Sequence, residues 1–229
     1  MRLRRLATII ALAGSVAACT SGAAATAKPA ATQVPTPVPP ATAVTDNTPA
    51  GCPTAQPDPL AATDVRTVTI TTDKGDIAIK VQGSLSPIAT GNFVALATCG
   101  WYTGVVFHRV VPGFVIQGGD GQYGRVPNVS KANVGTGGPA YTITDEPVTA
   151  TYHRGTVAMA RTSQPNSVGS QFFIVLDDGA QGSLASANTY QIIGEVTSGM
   201  EAADAIAAAA DQEIPTNPVV MTKVTVTNP

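Results

Sequence analysis

Alternation of apolar and polar positions sets in near residue 66 and recurs almost to the end of the chain. In RTVTITT, Thr alternates with Val68 and Ile70; Asp73-Lys74-Gly75 then turns the chain, and DIAIKV brings Ile77, Ile79 and Val81 to one face. A period of two on both sides of a turn predicts a β-hairpin with one buried face. Ser86-Pro87 supplies an N-cap and a first-turn proline, Phe93, Leu96 and Ala97 share one face of the helix that follows, and Gly100 ends it. Further strands are expected at FVIQ (114–117), GTVAMA (155–160), QFFIVL (171–176), YQIIGEV (190–196) and VVMTKVTVT (219–227). A second helix is expected from Ser198, where Ser-Gly-Met-Glu has the form of a capping box, through an Ala-rich stretch to about Ala210. Many short strands with two helices predict a mainly β chain, a closed β-barrel plugged by helices.

The first 63 residues follow neither period. Arg2, Arg4 and Arg5 precede the apolar run LATIIALAGSVAA, which ends in small residues. This is the form of a secretory signal peptide, residues 1–18, and it is short for a membrane span. Its end, Val16-Ala17-Ala18-Cys19, resembles the bacterial lipobox, which implies cleavage after Ala18 and a lipid on Cys19. The alternative is an ordinary signal cleaved at the same place, with Cys19 incidental. A lipidated chain would be anchored to the extracytoplasmic face of a bacterial membrane rather than span it. Residues 19–63 are rich in Thr, Pro and Ala and nearly free of large apolar groups. Such a segment cannot offset the entropy of ordering, so a disordered tether is expected, reaching on the order of 100 Å where extended. The folded domain is then expected at 64–229.

Charge and cysteine usage narrow the class. Three of the thirteen basic residues lie in the signal, which leaves ten against fifteen acidic residues, a net charge near −5. No basic block and no aromatic-interleaved basic stripe occurs, so nucleic acid is not an expected partner. Cys52 and Cys99 form an even pair in an exported chain, where a disulfide is permitted; the other reading is two free thiols.

Two segments carry chemistry. Residues 107–120 are FHRVVPGFVIQGGD, and residues 155–176 are GTVAMARTSQPNSVGSQFFIVL. Both resemble the two signature segments of the cyclophilin-type peptidyl-prolyl cis–trans isomerases. TGGPAY before Asp145-Glu146, and the closing Ile-Ile-Gly-Glu-Val, extend the resemblance to about 160 residues. It implies a closed eight-stranded antiparallel β-barrel capped by two α-helices, with a peptide groove on the outer face. It also implies a catalytic role for Arg109, with Gln117 placed to hydrogen-bond it. Phe107, Phe114, Val115, Met159, Ala160, Arg161, Gln171 and Phe173 fall on substrate-binding positions, and Leu184 and Tyr190 on the far wall. Phe114, Met159 and Phe173 would form the proline pocket. The implied ligands are proline-containing segments of folding proteins, and no cofactor or metal is implied.

The chain departs from the family pattern in three places. The loop GQYGRVPNVSKANV before Gly135 is long, about two extra residues separate Leu184 from Tyr190, and the only Trp is Trp101, outside that stretch. Other motifs weigh little. Gly119-Asp-Gly121-Gln-Tyr-Gly124 fits GxGxxG but runs into Arg-Val-Pro-Asn instead of a helix, which disfavours a dinucleotide site. Ser170 lacks a nucleophile elbow, and His108 and His153 have no Cys, His or carboxylate at metal-ligand spacing. The expected protein is therefore an exported isomerase, monomeric because a small barrel with its own core can stand alone. The rival is a non-catalytic proline-peptide-binding or chaperone module on the same barrel.

Overall fold

The hairpin is where the alternation puts it. A computed structural model describes residues 48–228 of the chain, and in it β1 (Val65–Thr72) pairs antiparallel with β2 (Gly75–Gln82) in the register Thr72↔Gly75. The Thr72 hydroxyl accepts from the Lys74 N–H and donates to the Gly75 carbonyl, and Gly75 takes the positive φ that closes the turn.

Ten strands and three α-helices follow one another in the described residues. After β2 come α1 (Pro87–Thr98), β3 (Val105–Val106), β4 (Arg109–Val111), β5 (Val115–Gly118), β6 (Thr156–Met159) and β7 (Phe172–Val175). The chain then passes a short 3-10 turn into α2 (Gln181–Ala187), followed by β8 (Ile192–Ser198), α3 (Met200–Ala209), β9 (Val220–Met221) and β10 (Lys223–Thr227). Eight strands form one antiparallel sheet in the order β10-β1-β2-β8-β6-β7-β5-β4.

That sheet curls but is not closed by hydrogen bonds, which corrects the expectation of a closed barrel. Its edges are β10 and β4, and the seam between them is spanned by a separate ribbon of β3 and β9. The Gly104 N–H bonds the Met221 carbonyl, and the Phe107 N–H bonds the Val219 carbonyl. The expected strand 219–227 is thus two strands broken at Thr222, so one stretch serves both the ribbon and the sheet edge.

The helices correct the count from two to three. α1 has Pro87 in its first turn, but the Ser86 side chain makes no cap bond. Instead the Glu146 carboxylate accepts from the N–H groups of Ile88 and Ala89, both at 2.9 Å. At the other end Gly100 adopts φ +85, and the Trp101 N–H reaches the Leu96 carbonyl, a Schellman closure. α3 begins one residue later than the Ser198 capping box implies. Ser198 is still in β8, paired with Ala78, and Gly199 is the N-cap at φ +91. A Cβ on Gly199 would run into the Asp76 carbonyl, so the chain can turn that tightly only with glycine there.

Two apolar layers result, because successive residues of a strand face opposite sides. The inner core joins Val68, Ile70, Ile77 and Ile79 to Phe93 and Leu96 of α1 and Ile206 of α3. Phe93, Tyr102 and Phe172 meet there with ring centroids 5.2–5.4 Å apart. The outer layer is a second cluster on β5 to β8, joined by Leu184 of α2.

Of the expected N-terminal features, the signal peptide, Cys19 and most of the tether lie outside the described residues. The end of the 19–63 segment lies against the folded body. Cys52 is disulfide-bonded to Cys99, the Leu60 N–H bonds the Pro87 carbonyl, and Gln56 accepts from the Thr144 N–H.

Candidate active site

The strand register lines up one rank of side chains across five strands. Arg109 on β4 is opposite Gln117 on β5, Gln117 is opposite Phe173 on β7, Phe173 is opposite Ala158 on β6, and Ala158 is opposite Ile192 on β8. Directly opposed residues share a face. Here that is the outer face, where Phe173, Ala158 and Ile192 join Phe114, Val115, Ala160, Leu184 and Tyr190. Tyr190 meets the Phe173 ring edge-on at 5.4 Å. Leu184 arrives on α2, so the two extra residues before Tyr190 do not keep either from reaching the cluster.

Two expected site residues are absent from this face, Met159 by the same alternation and Phe107 because it lies between β3 and β4, outside any strand. Met159 lies between Ala158 and Ala160 and packs in the inner core, as does Phe107, whose ring stands edge-on to Phe172 at 6.3 Å. The apolar wall is therefore built by Phe114, Phe173, Leu184 and Tyr190, without Met159.

Arg109 is nearly enclosed, with 6% of its side chain exposed. Its Nε donates to the Glu213 carboxylate at 2.7 Å, while Nη1 is buried without a hydrogen-bond partner. Gln117 does not hold the arginine, contrary to expectation. Its Nε2 donates to Gln171 Oε1 at 3.0 Å, and Gln171 Nε2 in turn donates to the carbonyls of Gly135 and Gly137. Those two glycines donate their N–H groups to the Asp120 carboxylate, which also accepts from the N–H groups of Gln122 and Tyr123. Asp120 thus ties both ends of the long 121–134 loop together, and the loop fixes Gln171 and through it Gln117.

Burial pushes the His108 imidazole down to about 4; the Arg109 charge adds to this and Asp120 opposes it, so His108 is neutral at ordinary pH. Burial raises the Tyr190 hydroxyl, and the charges of Arg161 and Arg109 oppose that shift. Arg161 is committed to Asp145 at 3.0 Å and to the carbonyls of Thr162 and Gln164. A cavity of about 100 Å³ opens on Arg109, Gln117, Thr136 and Glu213. A larger one of about 350 Å³ lies beside it, between the long loop (Val126, Lys131, Val134) and Ile214. Among the described residues no three His, Cys, Asp or Glu side chains gather as metal ligands. The GxGxxG stretch is a turn packed on Trp101, where a Cβ on Gly121 would sit 2.5 Å from the indole.

Two carboxylates that organise the site, Asp120 and Glu213, were not singled out for it from the sequence. Asp120 ends the first signature segment and so had a positional signal. Glu213 had none, because it lies 104 positions from Arg109 and only folding brings the two together.

The family model described as "Cyclophilin type peptidyl-prolyl cis-trans isomerase/CLD" matches residues 67–226. A probable peptidyl-prolyl cis-trans isomerase of Brucella abortus is 39% identical over 159 residues, covering 67% of this chain and 77% of that protein. Peptidyl-prolyl cis-trans isomerase B of Escherichia coli is 34% identical over 172 residues, covering 69% and 98%. A crystal structure of a Cryptosporidium parvum cyclophilin-type isomerase matches with a TM-score of 0.60 and 28% identity, covering 72% of this chain and 99% of that one. A second structure of that protein, obtained in the presence of the dipeptide Ala-Pro, matches with the same TM-score.

Proposed function

This chain belongs to the cyclophilin-type peptidyl-prolyl cis–trans isomerases, and from that premise we propose that it speeds X–Pro rotation through Arg109 beside an apolar proline pocket. The observation that carries the reading is the rank of Arg109, Gln117 and Phe173 on adjacent strands, with Phe114 and Tyr190 against it. A cation and an apolar wall side by side suit the two halves of a prolyl amide.

The barrier to be lowered is about 18–20 kcal/mol and comes from amide resonance. A 10⁵-fold acceleration needs roughly 7 kcal/mol of it removed. No nucleophile is required. As the amide twists, the proline nitrogen regains its lone pair, and a fixed cationic donor stabilises that state more than the planar one. Arg109 supplies such a donor, always charged and planar. Phe114, Phe173 and Tyr190 would hold the pyrrolidine ring while the preceding carbonyl swings. The backbone near Arg161 would take the flanking peptide. The Ala-Pro dipeptide named with the Cryptosporidium relative fits a proline-centred ligand.

We further propose that the enzyme works outside the cytoplasm on exported or cell-surface proteins, tethered through a lipidated Cys19. The signal-like N-terminus and lipobox motivate this, and the Cys52–Cys99 disulfide suits an oxidising compartment. Mass spectrometry of the mature N-terminus tests it: an unmodified Cys19 removes the anchor.

The catalytic reading is tested by NMR exchange on a proline peptide. Arg109→Ala should slow catalysed exchange roughly 100-fold, the scale of losing one preorganised donor, and leave peptide affinity within a few-fold. Equal rates in the two proteins would leave only a peptide-binding module.

A further inference from the structure

The segment between α3 and β9, DQEIPTNP at 211–218, passes directly over Arg109. It is a stiff piece of chain. Pro215 and Pro218 restrict its backbone. The Asp211 carboxylate accepts from the Thr216 N–H at 2.9 Å, and hydrogen bonding led by the Thr216 side chain holds that carboxyl below its ordinary range. The Glu213 carbonyl accepts from the Val110 N–H at 2.8 Å, so the segment is tied to β4 next to Arg109. From that anchor the Glu213 carboxylate takes Arg109 Nε.

We propose that Glu213 is a positioning residue for the isomerase reaction, holding the Arg109 guanidinium by its Nε so that its terminal nitrogens face the twisting amide; this rests on the isomerase reading above. A guanidinium is planar, and a bond at Nε sets the orientation of the whole fork. Among the described residues nothing else bonds it: Gln117 gives its Nε2 to Gln171, and Gln117 Oε1 and Arg109 Nη1 are both buried without a hydrogen-bond partner. Orientation outweighs charge here. The guanidinium is permanently protonated, and Glu213 is 54% exposed, so its negative field is screened at the reacting nitrogen while its bond still aligns the donor.

Glu213→Ala and Glu213→Gln in the full chain separate these contributions, since Gln keeps an acceptor of similar reach and drops the charge. At saturating proline peptide, Glu213→Ala should lower the exchange rate constant roughly tenfold, as expected for a misaligned catalytic group. Its KM should stay within about twofold, and Glu213→Gln should keep at least about half of the wild-type rate. The Arg109 Nε–H resonance should be protected in the wild type and in Glu213→Gln, and exchange rapidly in Glu213→Ala. Wild-type rates in Glu213→Ala would make the contact idle, and higher rates would make it a brake; either overturns the proposal. So would a Glu213→Gln as slow as Glu213→Ala, which would place the effect in charge. A wild-type protein that binds peptide without accelerating exchange would instead overturn the isomerase reading, and this inference with it.

Discussion

His108 and Arg109 are neighbours, both at 5% exposure or less, yet one is kept neutral and the other charged. Arginine cannot lose its proton, so burial must be answered by a partner, and Glu213 answers it. Histidine can, and burial, reinforced by Arg109, drives it to do so. The consequence is a pH-dependent stability. Unfolded, the imidazole titrates near 6.5; folded, it does so at about 4, so the unfolded state binds the extra proton between those values. Stability should be full above pH 6.5 and fall towards pH 4, by about 3 kcal/mol at the limit. Urea unfolding of wild type and His108→Gln at pH 7.5 and 4.5 checks this. The variant should lose most of the acid sensitivity, and equal losses in the two proteins would refute the account. The carboxyl of Asp204, lowered by its hydrogen bond to Arg154, contributes in a separate, more acidic window because its stabilisation fades only as it protonates.

The ends of the elements are set by contacts from far along the chain. Ser86 stands at the N-cap of α1 and does not cap it, whereas Glu146 satisfies two of the orphan N–H groups from 57 and 58 residues away and also accepts from Gln191. Its negative charge lies favourably at a helix N-terminus. Glu146→Ala should therefore destabilise the fold by about 2 kcal/mol, a melting-point drop of roughly 4–8 °C in a domain of this size. Ser86→Ala should change it little. A calorimetric comparison of the two variants decides which residue is the cap. The same lesson holds for α2. Its seven residues, QGSLASA, bury only Leu184 and carry no helical stripe, so nothing local announces a helix that forms because it covers Phe173 and Tyr190.

Across the whole molecule the disulfide joins Cys52, ahead of the first strand, to Cys99 at the end of α1, closing a loop 47 residues long. Constraint of the unfolded chain by a loop of that length is worth about 4 kcal/mol in the chain-entropy account. The bond is remote from the outer-face rank, so the Cys52→Ser, Cys99→Ser double variant should unfold at clearly lower denaturant concentration and isomerise at close to the wild-type rate at 25 °C. Loss of both properties together would mean that the N-terminal segment supports the site as well as the fold. The unclosed sheet belongs to this scale too. β4 carries Arg109 at an edge of the sheet, where the Glu213 carbonyl can bond its backbone in place of a neighbouring strand.

Alternation and turn residues were enough to place the opening hairpin, α1 and the central strands, because those signals are local: a period of two, a proline, a glycine. The ordered segments around Arg109 and Phe173 were enough to identify the family. The sequence did not decide which partners those residues take. Met159 sits in a signature segment yet faces inward, since one step along a strand reverses the side chain and only the observed register fixes which step points where. Gln117 and Arg109 are cross-strand neighbours, yet Gln117 bonds Gln171 and Arg109 bonds Glu213, because partners competing for a buried polar group are chosen by three-dimensional distance. Sequence periodicity placed the strands, and the two signature segments carried the family. Tertiary folding, by bringing residues some hundred positions apart to within 3 Å, decided the hydrogen bonds on which the chemistry rests.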